Sequence, residues 1–326
     1  MNVLDIRPYQ LMCIVCRIGE GASCDLASDR LDAILNVVRR DPALPLRLRC
    51  NVDAGYRFQN PGRAEDTTES ELFNTKRDLE ILKRLGLTPG ATWPAIDLVR
   101  RLFAEIKSTR GICDYPGPPS PHWRSCRRAG SGFYEKGLAL GFESVIPRRS
   151  EREMQEAKGE SVRAIHEAEG LMIRPHHLMC MTCFYGREKV FEPIKEDNLY
   201  ELIAVIQASP DIPVMLVKGP CMVCPPCPEY DPASRLCLGV YAMALRDERK
   251  DLEVLQRLGL NYGDALPARE LFRRLYAAFE TTVSVCSNGD GIASGPTWTI
   301  CGGPGGNPAY VKGRAAGLGI SGVTGG

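Results

Sequence analysis

Hydrophobic and polar positions follow the same order in the two halves of this chain. Apolar residues recur at helical spacing over residues 29–39 and again over residues 198–207. Each segment is followed by a short apolar run, at residues 45–50 and 213–218, of the kind that is typical of a buried strand. The pattern therefore predicts a helix followed by a strand in each half.

Two further helices are predicted after each strand. Residues 77–87 and 250–260 are amphipathic, and each segment has a glycine just past its last periodic residue, which suits a left-handed C-terminal cap. The next helix runs from residue 94 to about 107 and from 267 to about 279, with proline in the first turn, where its missing N–H costs little. Each half is thus predicted to be rich in helix, with a little strand.

The repeat extends to the sequence itself, since residues 6–16 are closely similar to residues 173–183. A period this long indicates a duplicated domain and not a solenoid, whose units run to about 20 to 50 residues. Residues 150–170 are dense in Arg, Lys and Glu, and we interpret them as a charged linker between repeats at residues 1–149 and 171–326. We predict a helix-rich α+β fold of two tandem repeats with pseudo-twofold symmetry and cysteine-rich loops that bind clusters.

The composition is that of a globular protein, with 44% hydrophobic residues in a chain of 326 residues. Lys and Arg number 41 against 40 Asp and Glu, and this balance argues against nucleic acid as a partner. No secretory signal stands out in residues 1–17, and no apolar run approaches the roughly 20 residues that span a bilayer. The sequence therefore predicts a cytoplasmic protein without a membrane span.

The 14 cysteines indicate metal binding, because cytoplasmic thiols are kept reduced and seldom form a disulfide framework. Four cysteines of the first half, the first quartet, align with four of the second half, the second quartet. The aligned pairs are Cys13 and Cys180, Cys16 and Cys183, Cys113 and Cys286, and Cys126 and Cys301. Four thiolates hold a [4Fe-4S] or [2Fe-2S] cluster, or a tetrahedral zinc ion.

A third quartet, which has no counterpart in the first half, consists of Cys221, Cys224, Cys227 and Cys237. Its Cys-x-x-Cys-x-x-Cys-Pro run, with a more distant fourth cysteine, resembles the cluster loop of bacterial ferredoxins. Zinc sites more often pair two Cys-x-x-Cys knuckles. The spacing therefore favours [4Fe-4S] clusters, two or three in all, with zinc as the alternative. Cys24 and Cys50 remain, either as buried thiols or as the remains of a lost site.

The residues Arg-Pro-His-His-Leu-Met-Cys at positions 174–180 resemble the opening of a small bacterial family. This family has no established function, is described as iron-sulfur binding, and opens with Arg-Pro-His-His-Leu-Leu-Cys. The resemblance covers about residues 173–263 and, more weakly, residues 6–90. It implies cluster binding and does not imply a particular reaction.

Two adjacent histidines, His176 and His177, occur in this motif, where the first half has Tyr9 and Gln10. One of them could act as an acid or base on a substrate, ligate a metal, or donate a hydrogen bond to a cluster sulfur. Both could instead pack against the following helix and cap it. Since the first half has its quartet without them, they are candidates for chemistry that is specific to the second half.

A repeated arginine, Arg7 in the first half and Arg174 in the second, precedes each opening Cys-x-x-Cys motif. It either balances the negative charge of a thiolate-ligated cluster or forms an ion pair with the helix that contains Asp78 or Asp251.

The leading functional hypothesis is an iron-sulfur protein that relays electrons to a redox partner protein or a larger complex. A first alternative is an enzyme, an oxidoreductase or a cluster-dependent lyase, with a substrate-binding cluster near His176 and His177. A second alternative is an interaction module that zinc stabilises.

Overall fold

The computed structural model divides the chain into two compact units, Met1–Arg148 and Arg149–Gly326. The described residues are 2–21, 29–50, 52, 68–114, 116–117, 120–187, 191–239, 243–286 and 308–323. Two of the cysteines discussed above, Cys24 and Cys301, lie outside these ranges. Within the ranges no cysteine forms a disulfide, and no helix is long and apolar enough to cross a membrane.

In its described residues, the first unit combines helices with one small mixed sheet. Its elements are β1 (Leu4–Ile6), α1 (Pro8–Glu20), α2 (Asp29–Arg40), β2 (Pro45–Leu48), α3 (Glu71–Leu85), β3 (Thr92–Pro94), α4 (Ala95–Glu105) and α5 (Phe133–Ala139). The central strand β2 pairs in parallel with β1 and antiparallel with β3. Leu46 and Leu48 of β2 are fully buried, so the apolar run that predicted this strand lies in the core of the unit.

The second unit has this order of elements with additions. Its described elements are α6 (Glu151–Glu167), β4 (Leu171–Ile173), α7 (Pro175–Arg187), α8 (Leu199–Ala208), β5 (Pro213–Leu216), β6 (Tyr230–Asp231), β7 (Leu236–Cys237), α9 (Met243–Leu258), β8 (Ala265–Pro267), α10 (Ala268–Ala278), α11 (Val283–Cys286) and α12 (Pro308–Ala315). Here β5 is the central strand, parallel to β4 and antiparallel to β8. A separate hairpin pairs β6 with β7.

These elements confirm the helix-rich α+β class. The predicted glycine caps are also present, since Gly86 and Gly259 follow α3 and α9 with left-handed φ angles of 61° and 65°. The central strands have equivalent partners, because Pro45 lies opposite Pro94 in the first unit just as Pro213 lies opposite Pro267 in the second.

The cysteine-bearing segments are more helical than the prediction of cluster-binding loops implied. Cys13 and Cys16 lie within α1, and Cys180 and Cys183 lie within α7. In both helices the first residue is the proline of the repeated Arg-Pro pair, whose fixed φ angle favours a helix start. The paired thiols are therefore presented one helical turn apart.

The segment interpreted as a charged linker is helix α6, and it packs with the second unit. Ser150 caps the helix by accepting a hydrogen bond from the backbone N–H of Glu153. Most of its residues are exposed or partly exposed, but Ile165 is 1% exposed and belongs to the hydrophobic core of the second unit. Ile165 thus joins the helix to this core, and an ion pair of 2.6 Å between Lys158 and Glu201 also links the helix to α8.

Each helix with paired cysteines meets the last helix of its unit at glycines. A Cβ atom on Gly137 of α5 would lie 2.1 Å from the carbonyl oxygen of Val15, and Gly19 of α1 approaches the α5 backbone in the same way. Gly186 of α7 and Gly313 of α12 make the corresponding contacts in the second unit. Backbone atoms cannot move aside as a flexible side chain can, so only glycine allows this approach.

We expect Gly137→Ala to destabilise the first unit by about 3 kcal/mol, the upper end of the range for overpacking, because the new methyl group would overlap backbone atoms. Urea titration with hydrogen exchange of peptides from α1 and α5 measures the loss. The matched control is Gly159→Ala in α6, whose Cβ would meet nothing within 4 Å. This control should gain up to about 1 kcal/mol from helix propensity. Equal stabilities for the two variants would contradict the prediction.

Candidate metal centres

Helix α1 presents Cys13 and Cys16, and a buried carboxylate holds the start of this helix. Asp78 of α3 accepts hydrogen bonds from the Arg7 Nε atom at 2.8 Å and from the Tyr9 backbone N–H at 2.9 Å. Asp78 is fully buried and Arg7 is 3% exposed. The contacts fix α1 against α3, and with it the positions of the two thiols.

Cys113 and Cys126 approach from the segment between α4 and α5. Cys113 closes a turn in which its N–H donates to the carbonyl oxygen of Thr109 at 3.0 Å. Thr109 in turn donates its N–H to the Glu135 carboxylate on α5, also at 3.0 Å. Near Cys126, Arg128 forms an ion pair of 2.9 Å with the last residue of α1. Both cysteines are thus tied to the helices around them.

The four thiols of the first quartet lie close enough to influence one another. Burial, together with negative charge on Cys126 and Cys113, raises the pKa of Cys16 to about 12. Burial likewise raises the pKa of Cys13, with the same two cysteines contributing. All four thiols are described, yet no three of their sulfur atoms lie within 4.8 Å of one another. Thiolates at about 2.3 Å from one tetrahedral ion would lie less than about 4 Å apart.

A buried guanidinium lies beside the first quartet. Arg77 of α3 is 1% exposed and stacks on the Tyr9 ring, with its Cζ atom 3.8 Å from the ring centroid. Its charge lowers the pKa of Cys13 and of Cys113 against the larger, opposite effect of burial. Among the described residues it has a side-chain contact with Cys113 and an ion pair with Glu69 that is long, at 3.5 Å. A buried cation is costly unless negative charge compensates for it.

The second quartet has an equivalent arrangement in its three described members. Cys180 and Cys183 lie one turn apart on α7, and Cys286 ends α11. Burial raises the pKa of Tyr310, and negative charge on Cys183 and Cys286 adds to the shift. Tyr134 has the same relation to two cysteines of the first quartet. A buried tyrosine therefore lies near the thiols in each unit.

The third quartet is assembled by consecutive turns and a hairpin. The Cys224 N–H donates to the Cys221 carbonyl oxygen, and the Cys227 N–H donates to the Cys224 carbonyl oxygen, both at 2.9 Å. The β6–β7 hairpin then pairs Cys237 with Tyr230, whose N–H donates to the Cys227 carbonyl oxygen at 3.1 Å. The hairpin therefore returns Cys237 to the turn that contains Cys227, and the charges of the two thiols interact.

His177 brings a nitrogen donor to the third quartet. Its Nδ1 atom lies 3.1 Å from Cys221 Sγ, and the donor atoms of His177, Cys221 and Cys224 all lie within 4.8 Å of one another. Burial alone would raise the pKa of Cys221, but hydrogen bonds with Cys224 and His177 lower it well below its usual value. Cys221 is therefore suited to be a thiolate, the form of cysteine that binds metals.

Backbone N–H groups donate to several of these sulfur atoms, which favours their thiolate forms. The acceptor sulfurs and donor residues are Cys221 with Arg174, Cys227 with Glu229, Cys237 with Gly239, and Cys126 with Arg128. Arg149 also donates to the carbonyl oxygens of Pro225 and Cys227, at 2.7 Å and 3.0 Å. The turns of the third quartet are thus held by amides within the loop and by a cation outside it.

His176 has different contacts from its neighbour. Its Nδ1 atom lies 2.7 Å from Asp251, and the same carboxylate accepts two hydrogen bonds from Arg174, at 2.9 Å and 2.7 Å. Burial lowers the pKa of His176 to about 4, so the ring is neutral at pH 7 and donates its Nδ1–H to Asp251. The sequence treated the two histidines as one candidate catalytic pair, whereas the structure directs one to a carboxylate and the other to a cysteine.

Arg77 is the site residue that the sequence analysis missed. A signal for it exists, because the residue before the buried aspartate is cationic in both units, Arg77 before Asp78 and Lys250 before Asp251. Lys250 is also 1% exposed, but Asp247 pairs with it at 2.7 Å. Of the two alternatives for the repeated arginine, the structure supports the ion pair with the aspartate-bearing helix.

The fold and these sites together define a helix-rich α+β protein with cysteine-lined candidate metal centres. No protein-family model, no curated protein and no solved structure matches the chain.

Proposed function

We propose that this protein is an iron-sulfur protein that holds one cluster in each unit and transfers electrons. The observation that carries the proposal is the convergence of the first quartet beside Arg77, a buried cation that interacts with Cys13 and Cys113 and whose ion pair with Glu69 is long, at 3.5 Å. Thiolate-ligated clusters bring negative charge into a protein, and such charge would offset the buried guanidinium. Four cysteines are also the usual donor set of a [2Fe-2S] or [4Fe-4S] cluster.

The first quartet does not have the close donor spacing of a site for a single ion. Its sulfur atoms interact electrostatically, yet no three of them lie within 4.8 Å of one another. Ligands of one zinc ion are closer than this, whereas ligands of a cluster are held apart by the several iron atoms between them. The same donor types recur in the described members of the second quartet.

We further infer that the two units arose by duplication. They have the same central-strand pairing, the same glycine contacts between helices, and cysteines at equivalent positions on α1 and α7. On this view the second quartet, with Cys301 as its fourth member, holds its cluster as the first quartet does.

A bound cluster would supply a one-electron carrier, and the chain would set its potential through burial, charge and hydrogen bonds to sulfur. In the first unit these contributions come from Arg77 and from the backbone N–H of Arg128, which donates to Cys126. Electron transfer requires a donor and an acceptor, so a redox partner protein or a larger complex belongs to the proposal.

Iron and acid-labile sulfide analysis of anaerobically purified protein tests the proposal, together with EPR during a redox titration. The wild-type chain should show two cluster signals, and Cys113→Ser should lose one of them. The matched control is Cys50→Ala, which removes a buried thiol outside the three quartets and should leave both signals. A colourless wild-type protein with stoichiometric zinc would instead support the zinc-stabilised module.

The enzyme alternative has no comparable support from the geometry. The Nδ1 atoms of both candidate catalytic histidines already have contacts, His176 with Asp251 and His177 with Cys221.

A further inference from the structure

The third quartet differs from the first in the spacing of its donors. Three donor atoms, His177 Nδ1 and the sulfur atoms of Cys221 and Cys224, lie within 4.8 Å of one another. Ligands of one tetrahedral zinc ion, at about 2.0 to 2.3 Å from the metal, are separated by under about 4 Å. These three donors are therefore close to the separation that a single ion requires.

The sequence links the histidine to the cysteines. His177 aligns with Gln10, and the first unit has no counterpart of the third quartet. Gln10 has a different task, since its side-chain oxygen accepts a hydrogen bond from the Arg7 N–H at 2.8 Å. The nitrogen donor thus occurs in the unit that also has the third quartet, as expected if they bind one ligand.

Two further cysteines, Cys227 and Cys237, follow the three donors but lie outside the group within 4.8 Å, and burial raises the pKa of both. Cys227 and Cys237 lie on the turn and the hairpin that follow Cys224, and each sulfur accepts a backbone N–H. Arg174 is 4% exposed and interacts electrostatically with Cys224 and Cys237. A neutral histidine and three thiolates around a divalent ion would carry one net negative charge, and Arg174, although paired with Asp251, lies close enough to interact with it.

We infer that His177, Cys221 and Cys224 bind a single zinc ion, with a fourth thiolate from Cys227 or Cys237, so that the third quartet is a mononuclear structural site and not a third cluster. Four protein ligands of the Cys3His type are typical of structural zinc, and His177 is then a ligand and not an acid or base. The ion would join the N-terminal part of α7 to the cysteine turns. The inference does not depend on clusters in the other two quartets.

Metal analysis of the full-length protein, purified anaerobically and supplied with Zn²⁺ alone, tests the inference. Wild type should retain one zinc per chain, and His177→Ala should lose it while its iron and sulfide contents stay at the wild-type level. His177→Cys, which restores a donor atom, should recover the zinc, whereas a loss of zinc that came only from impaired folding would not be reversed by a new donor atom. The matched control is His166→Ala, because His166 is exposed on α6.

The outcomes separate this inference from the proposed function. Loss of iron and sulfide from His177→Ala would show a third cluster and overturn the inference. Retention of zinc by His177→Ala, or a wild-type protein that binds no zinc, would overturn it as well. A wild-type protein with one zinc but no iron would support the inference and overturn the proposed function.

Discussion

Replacing Asp251 by alanine is expected to destabilise the second unit by about 3–5 kcal/mol, the usual cost of leaving one member of a buried ion pair without its partner. Asp251 is fully buried and accepts hydrogen bonds from Arg174, from the His176 ring and from the His176 backbone N–H. Its removal leaves the 4%-exposed Arg174 without this carboxylate. Urea titration with hydrogen exchange of peptides from α7 and α9 measures the loss.

Asp211→Ala is the matched control, because Asp211 is 72% exposed and its ion pair with Arg269 lies at the surface. A surface pair contributes about 0–1 kcal/mol, so this variant should remain near wild type. If Asp251→Ala lost no more stability than the control, the buried network would not hold α7 in place.

The loss in the free energy of unfolding that Asp251→Ala causes should also depend on pH. Burial raises the pKa of Asp251, but His176 and Arg174 outweigh this effect and hold it at about 2, below the usual value of 3.8. A lowered pKa contributes stability that is present above the unfolded value and is lost as the pH falls through the folded value. The loss should therefore be constant from pH 7 to pH 5 and shrink below about pH 4.

Replacing Arg77 by glutamine is expected to lower the reduction potential of a cluster in the first unit. Reduction adds negative charge, and a buried cation nearby stabilises the reduced form. Loss of one such charge should shift the potential by on the order of 100 mV, given the strength of charge interactions near protein sites. An EPR-monitored redox titration measures the shift.

Arg77→Lys should keep most of the wild-type potential because lysine also carries a positive charge. Lysine is the residue at the equivalent position of the second unit, Lys250. Arg40→Gln is the control for loss of a positive charge, since Arg40 is exposed on α2. A potential that moved equally in the Arg77→Gln and Arg40→Gln variants would mean that Arg77 does not act on the cluster specifically.

Periodicity in the sequence predicted the local elements well. Helices and strands with strong apolar patterns, such as α2 and β2, are confirmed, as are the glycines that end α3 and α9. These features depend on neighbours in sequence, so a single chain is enough to infer them. The cysteine pairs within α1 and α7 were less evident, because residue composition there suggested metal loops more strongly than helices.

The candidate centres depend on contacts between segments that are far apart in the chain. Local sequence patterns do not predict such contacts. Nothing local distinguishes His176, which contacts Asp251 at 2.7 Å, from His177, which contacts Cys221 at 3.1 Å. The direction in which each ring points is set by the helix start at Arg174 and Pro175. Likewise, Arg77 contacts Tyr9 only because α3 packs against α1, and the local sequence does not predict that packing.

The glycine contacts between α1 and α5 bear on how the first quartet would acquire a cofactor. Because backbone meets backbone at Gly19 and Gly137, the two helices can neither move closer without a clash nor separate without losing contact. Ordering a free chain costs about 1–2 kcal/mol per residue, and folding has already met that cost for Cys13 and Cys16. On the proposed function, α1 would therefore hold Cys13 and Cys16 in position before a cluster binds.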